Sequence, residues 1–270
     1  LLSIGCFGNS CIKFFMRNKS VLIFADSLGA PTLLNNIPIK YIAGLVCAVN
    51  RPQYHLELKD LCLNKGIEFL IQPFVSSRDY FAFINKIKKI SPLLIWVNSY
   101  SMKLHNELLS IPKYGCINIH GGPLPEYRGC NPIQWALINK ESFAGVTLHL
   151  MDENFDTGPI IDKKRVEILF EDTWLDLRKR IDKSTADLIS ENIDSVLKGN
   201  FIAKPQNCNH AKYYPRRTAD DGFFSWDQPL IDIYNIVRAL VSPHPGAFYV
   251  SKNNERDFLR NFIQISELAC

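Results

Sequence analysis

The chain carries no Cys-x-x-Cys pair, no HExxH, no GxGxxG, no GxxxxGK(S/T) and no GxSxG. Those absences argue in turn against a zinc ribbon or zinc protease, an NAD enzyme, a P-loop NTPase and an α/β-hydrolase. No apolar run approaches the ~20 residues that a membrane helix needs; residues 41–49 are among the longest and read as a buried strand. The start of the chain has no long hydrophobic segment with a small-residue cleavage site, so no signal peptide is expected. Charge of either sign is scarce in excess: the net is +4 over 270 residues. That balance permits an anionic substrate but does not by itself point to nucleic acid. What is present in quantity is ordinary globular material, 47% hydrophobic and 21% charged, enough for one or two domains with a full core. The eight cysteines, Cys6, Cys11, Cys47, Cys62, Cys116, Cys130, Cys208 and Cys270, are scattered. They read as reduced thiols of a cytosolic protein, and no metal site is expected. The first residue is Leu, so a trimmed chain or a piece of a longer product is expected.

Residues 20–25 (SVLIFA) form a first buried strand that enters a turn and a helix at 30–36. Strands follow at 41–49, 67–71, 93–97 and 116–120, and helices at 56–64, 79–90 and 104–111. Gly66 is a plausible C-cap for the second helix. Strand and helix in alternation imply parallel pairing, hence a doubly wound α/β sheet of Rossmann type, mostly parallel, with helices on both faces. Ligands of such sheets bind beyond the carboxyl ends of the strands. Residues 145–151 (GVTLHLM) give a further strand. A long amphipathic helix spans 172–198, opened by a Thr173–Asp176 capping box and ended at Gly199. We expect an N-terminal extension at 1–19, a catalytic domain at 20–200 and a small C-terminal subdomain at 201–270 with a helix at 231–241.

The densest stretch is 115–161, GCINIHGGPLPEYRGCNPIQWALINKESFAGVTLHLMDENFDTGPII. Side chains two apart on a strand share a face, so Asn118 and His120 project together while Ile117 and Ile119 pack into the other layer. An Asn amide can hydrogen-bond the oxyanion of an acyl-transfer transition state. An imidazole can accept the proton of an attacking amine. Asp156, beside Thr157 and Gly158, is the carboxylate that could orient or charge-balance that imidazole. No Ser or Cys nucleophile stands with them, which favours direct transfer of a small acyl group to an amine. Each residue also has a plain structural reading: Asn118 as a cap on the Gly121-Gly122 turn, His120 as a buried imidazole with its bonds satisfied, Asp156 as a loop or N-cap residue. His149 reads as structural and His244, between two prolines, as a turn residue.

Asn118-Ile119-His120-Gly121-Gly122, Leu124-Pro125-x-x-Arg128-Gly129, Gly145-Val146-Thr147 and Met151-Asp152-x-x-x-Asp156-Thr157-Gly158 together resemble the signature of the N10-formyltetrahydrofolate-dependent formyltransferases. The resemblance covers about residues 20–250. Many members have Ser-Leu-Leu-Pro where this chain has Gly122-Pro123-Leu124-Pro125, a departure that falls on the acceptor loop. Tyr214-Pro215-Arg216-Arg217-Thr218 and Pro245-Gly246-Ala247-Phe248 are similar to the segment shared by the tRNA and nucleotide-sugar enzymes of that family. Only 249–270 follow, too few for a large basic barrel, so a likeness to the sugar enzymes is the expectation.

The resemblance implies that Asn118, His120 and Asp156 are catalytic and that N10-formyltetrahydrofolate is co-substrate. It places the pterin near the 98–104 loop and the 152–156 loop, with Met102, Leu104, Asp152 and Asn154 as contacts. It implies a nucleotide-linked amino sugar approaching the 123–129 loop, with Pro125, Tyr127, Arg128 and Trp135 as contacts. Arg216 and Arg217 would either neutralise a diphosphate or form a solvated face. The expected setting is cytoplasmic, with no membrane or nucleic-acid partner, in surface polysaccharide biosynthesis. Apolar residues near the C-terminus would suit a homodimer. The alternatives are a methionyl-tRNA acceptor, water as acceptor (a formyltetrahydrofolate hydrolase), or a non-catalytic folate- or nucleotide-binding module.

Overall fold

A computed structural model describes residues 19–26 and 29–259. The expected extension at 1–19 therefore lies almost wholly outside the described residues. Strands β1 (Val21–Ala25), β2 (Ile42–Ala48), β3 (Glu68–Gln72), β4 (Leu94–Asn98) and β5 (Cys116–His120) pair in parallel in the order β3-β2-β1-β4-β5. The chain builds outward from β1 to β3, then returns to place β4 on the other side of β1. That reversal is the switch point at which open α/β sheets bind ligands.

β1 shows why the sheet is sandwiched. Val21, Ile23 and Ala25 pack into one core with helices α1 (Gly29–Asn36) and α2 (His55–Lys65). Leu22 and Phe24 pack into the opposite core with α3 (Asp79–Ile90) and α4 (Asn106–Leu109). A strand with both faces covered must be apolar throughout, and all five residues of β1 are buried. Gly66 ends α2 with φ +64°, a conformation that costs glycine little.

The sheet then changes direction. After β6 (Arg128–Gly129) and α5 (Pro132–Ile138), β7 (Phe143–Leu150) runs antiparallel to β5, and β8 (Ile160–Glu167) runs antiparallel to β7 at the edge. The sequence reading found β7 but not β8. IIDKKRVE has only one fully buried residue, Val166, so its composition is that of a charged edge rather than of a buried strand. Helix α6 (Trp174–Leu197) covers β7 and β8 and contributes Leu188 and Ile189 to the α1 side of the core. Its capping box is real: Asp176 Oδ2 accepts from the Thr173 amide at 3.1 Å and the Asp176 amide donates back to Thr173 Oγ1 at 3.4 Å. Thr173→Ala should lower unfolding stability by about 1 kcal/mol, read as a shifted urea midpoint with an unchanged slope.

Beyond α6, β9 (Tyr213–Tyr214) pairs in parallel with β6. Helix α7 (Leu230–Ala239) packs beside α5, and the antiparallel pair β10 (Ala247–Val250) and β11 (Arg256–Leu259) closes a small core with Phe224, Ile233 and Val237. No helix among the described residues is long and apolar enough to cross a membrane.

Candidate active site

β5 presents Asn118 and His120 on one face and buries Ile117 and Ile119 on the other. Because β7 runs antiparallel, it sets His149 directly opposite Asn118 and Thr147 opposite His120. Directly opposed residues share a face. Asn118 Nδ2 lies 3.2 Å from His149 Nε2. Thr147 Oγ1 donates to the Gly122 carbonyl at 2.8 Å and accepts from the Leu124 amide at 3.2 Å, which pins the glycine loop above the strand.

The third polar group arrives from the loop between β7 and β8. Asp152 Oδ1 accepts from the Asn154 amide at 3.0 Å and from the Thr157 hydroxyl, folding the loop back on itself. Gln206 Nε2 donates to the Asp156 carbonyl at 2.9 Å and the Gly158 carbonyl at 2.8 Å. Held this way, Asp156 adopts φ +57°, an uncommon conformation for a residue with a Cβ. Its carboxylate enters between the two imidazoles. Oδ2 is 3.6 Å from His120 Nδ1 and accepts from the Gly129 amide at 2.9 Å; Oδ1 is 3.5 Å from His149 Nε2.

Hydrogen placement follows from the carbonyls. His120 Nε2 lies 2.6 Å from the Tyr127 oxygen and His149 Nδ1 lies 2.7 Å from the Leu150 oxygen. A carbonyl only accepts, so those two nitrogens carry hydrogen. The remaining nitrogens, His120 Nδ1 and His149 Nε2, face Asp156. Each is a lone pair when its ring is neutral and a donor to the carboxylate when its ring is charged. All three side chains are at most 12% exposed. Burial pushes the Asp156 carboxyl up, but His120, His149 and the Gly129 amide outweigh it and hold the group well below the ordinary value of 3.8.

A depressed folded-state value stabilises the native protein above the unfolded value, and that contribution is lost as pH falls through the folded one. Thermal midpoints should therefore drop more steeply below about pH 4 in the wild type than in Asp156→Asn. Parallel acid-limb curves would contradict the coupling.

A cavity of about 860 Å³ opens at the carboxyl ends of β4 and β5, with Asn118, His120, His149 and Asp156 in its wall. Met102, Leu104, Asp152 and Asn154 also line it. Pro125, Tyr127, Arg128 and Trp135 do not, and their surroundings explain why. The buried Arg128 guanidinium grips Gln206 Oε1 through Nε (3.0 Å) and Nη2 (2.7 Å) and lies over the Tyr213 ring, so it is committed to structure rather than turned toward a phosphate. Tyr127 stacks on Tyr214 at 4.6 Å and gives its hydroxyl hydrogen to Glu141. Trp135 donates to the Pro215 carbonyl at 3.1 Å beneath the Arg217 guanidinium. The Pro125 carbonyl accepts from the Lys212 amide at 3.3 Å. These four residues brace the segment that does line the cavity, Tyr213 to Arg216. His149, read from the sequence as structural, stands inside the cluster against Asn118 and Asp156. Its signal was Thr147 and His149 alternating on the buried face of one strand, two polar residues where a core strand should be apolar. His244 also reaches the cavity wall, where it bonds Gln134 at 3.0 Å and meets the Trp174 ring edge-on.

Two family models match, formyl transferase over residues 64–193 and the formyl transferase C-terminal domain over residues 216–264. The chain belongs to the formyl transferase family. The chain is 41% identical over 197 residues to a methionyl-tRNA formyltransferase of Thermodesulfovibrio yellowstonii, covering 73% of this chain and 62% of that protein. It spans about three-fifths of the length of the curated relatives it matches. A sugar N-formyltransferase of Shewanella sp FDAARGOS_354 superposes with a TM-score of 0.72 at 22% identity, over 89% of this chain and 96% of that one. An N-formyltransferase from Helicobacter canadensis, solved with folinic acid and dTDP-3-aminofucose, superposes with a TM-score of 0.64 at 19% identity, over 83% and 81%. At such identities the structural likeness establishes the formyl transferase fold.

Proposed function

We propose that this site transfers a formyl group from N10-formyltetrahydrofolate to a primary amine. The observation that carries the reading is the meeting of one carboxamide, two imidazoles and one carboxylate on a single cavity wall. Among the described residues, neither imidazole hydrogen-bonds a hydroxyl or thiol, so the arrangement favours direct transfer over a covalent enzyme intermediate. The amine lone pair attacks the formyl carbon, and the carbonyl oxygen becomes an oxyanion. The free Asn118 N–H hydrogen-bonds that oxyanion. The amine proton passes to the pair formed by His120 and Asp156, and the carboxylate stabilises the imidazolium that results. Collapse of the adduct breaks the bond to N10 of the folate, and the stored proton leaves with that nitrogen.

The flat pterin suits the wall formed by 99–104 and 151–156. Met102 and Leu104 supply apolar surface there, and backbone groups can read the edge of the ring. For the acceptor we favour a nucleotide-linked amino sugar. Exposed Tyr213 and Arg216 stand at the same cavity, offering a stacking face and a planar cation for phosphate, and the Helicobacter canadensis neighbour holds such a ligand. The second reading, a tRNA-borne amino acid, is favoured by the 41% identity to a methionyl-tRNA formyltransferase. Incubation with N10-formyltetrahydrofolate and a panel of nucleoside-diphosphate amino sugars, charged tRNA and no acceptor separates these. We expect formylated sugar. Turnover with tRNA alone would reassign the acceptor, folate hydrolysis without acceptor would make water the acceptor, and no turnover with any of them would sink the proposal.

A further inference from the structure

We infer that Asp26, at the carboxyl end of β1, is a positioning residue that fixes the 99–104 wall of the cavity, and so sets affinity for the folate co-substrate proposed above. Asp26 is 2% exposed and its carboxylate is saturated by donors. Oδ1 accepts from the Ala48 amide at 2.9 Å and from Cys47 Sγ at 3.1 Å. Oδ2 accepts from the Ser101 amide at 2.9 Å and the Ser101 hydroxyl at 2.6 Å. The Asn50 amide oxygen also lies 2.8 Å from that hydroxyl, but a hydroxyl has one hydrogen and the closer, charged acceptor takes it. One oxygen thus clamps the end of β2, and the other clamps the loop after β4.

The loop needs such a clamp. Ser99 adopts φ +51°, which a residue with a Cβ rarely holds unaided. The neighbouring tether is weaker: the Tyr100 hydroxyl reaches Gln72 Oε1 at 2.7 Å, while Gln72 Nε2 is buried without a partner. The Cys47 thiol, pushed up to about 12 first by burial and then by Asp26 itself, stays protonated and serves as a donor. The two oxygens therefore have separable duties, Oδ1 toward the core and Oδ2 toward the cavity.

Asp26→Asn puts an amide donor where two Ser101 donors or the Ala48 and Cys47 donors converge. We expect its dissociation constant for 5-formyltetrahydrofolate, measured by calorimetry, to rise at least tenfold. The folate KM should rise with it, while kcat at saturating folate stays within threefold and the amine KM is unchanged. Ser101→Ala, which keeps the amide contact, should raise the constant a few-fold and add nothing on top of Asp26→Asn. Cys47→Ala should lower the melting temperature with folate affinity within twofold. Hydrogen exchange reads the clamp without any ligand: the Ser101 amide should exchange at least tenfold faster in Asp26→Asn. A wild type that binds no folate would remove the proposed function, yet faster exchange would still uphold the clamp. Unchanged exchange in both Asp26→Asn and Ser101→Ala, or a lowered melting temperature with unchanged folate affinity in Asp26→Asn, would overturn the inference.

Discussion

Turnover should fall by about 10²–10⁴ when His120 is replaced by Ala, the range for loss of a positioned acid–base group. The same substitution removes the hydrogen bond to the Tyr127 carbonyl and uncovers one side of Asp156. A circular-dichroism spectrum of native shape therefore belongs beside the rate measurement. Asn118→Ala should cost about 10²–10³, the usual effect of one lost oxyanion donor. Adding Asp156→Asn to His120→Ala should cost far less than the product of the single effects, because groups that act as a unit fail together. Single-turnover rates at saturating folate and amine decide the matter, and turnover within threefold of wild type in His120→Ala would remove the imidazole from the mechanism.

Gly129→Ala should destabilise the protein by about 2–4 kcal/mol, combining a strained φ with overpacking. Gly129 has φ +97°, and a Cβ there would collide with the Tyr214 carbonyl oxygen. The amides on either side, of Arg128 and Cys130, bond the Lys212 and Tyr214 carbonyls at 3.0 Å, whereas the Gly129 amide turns the other way to Asp156. Displacing this residue would unseat both the β6–β9 pairing and the carboxylate. The expected result is a lower urea midpoint together with turnover reduced at least tenfold. A variant with wild-type stability and rate would show that the backbone here can yield.

The inner parallel strands β1, β2 and β4 were legible because they are buried on both faces and read as nearly unbroken apolar runs between turn residues. The ends of α3 were legible for a related reason: its apolar residues recur at helical spacing between Asp79 and Ile90. β8 was not, because an edge strand carries the composition of the surface. In the site, the spacing of Asn118 and His120 on one strand sufficed to put them together. Asp156 could be named as their partner from its chemistry and the family resemblance but not from spacing, since its approach depends on Gly129 and on Gln206, fifty residues on. Arg128 and Tyr127 were read as facing a ligand because their residue types suit one. Apart from Glu141 on the Tyr127 hydroxyl, the partners that hold them, Gln206, Tyr213 and Tyr214, lie more than seventy-five residues away, and no local pattern announces a pairing of that range. His149 was discounted for lying in a strand read in isolation; only the antiparallel register gives it Asn118 as a neighbour.

A lone carboxylate wedged between two rings makes ionisation a shared property. One carboxylate oxygen answers to His120 and the Gly129 amide, the other to His149, so the charge of Asp156 rests on strand β5, strand β7 and the glycine loop together. Substituting His149, which touches no reacting atom in the proposed chemistry, will remove one of the holds that keep that carboxylate ionised and move its titration back toward the ordinary carboxylate range.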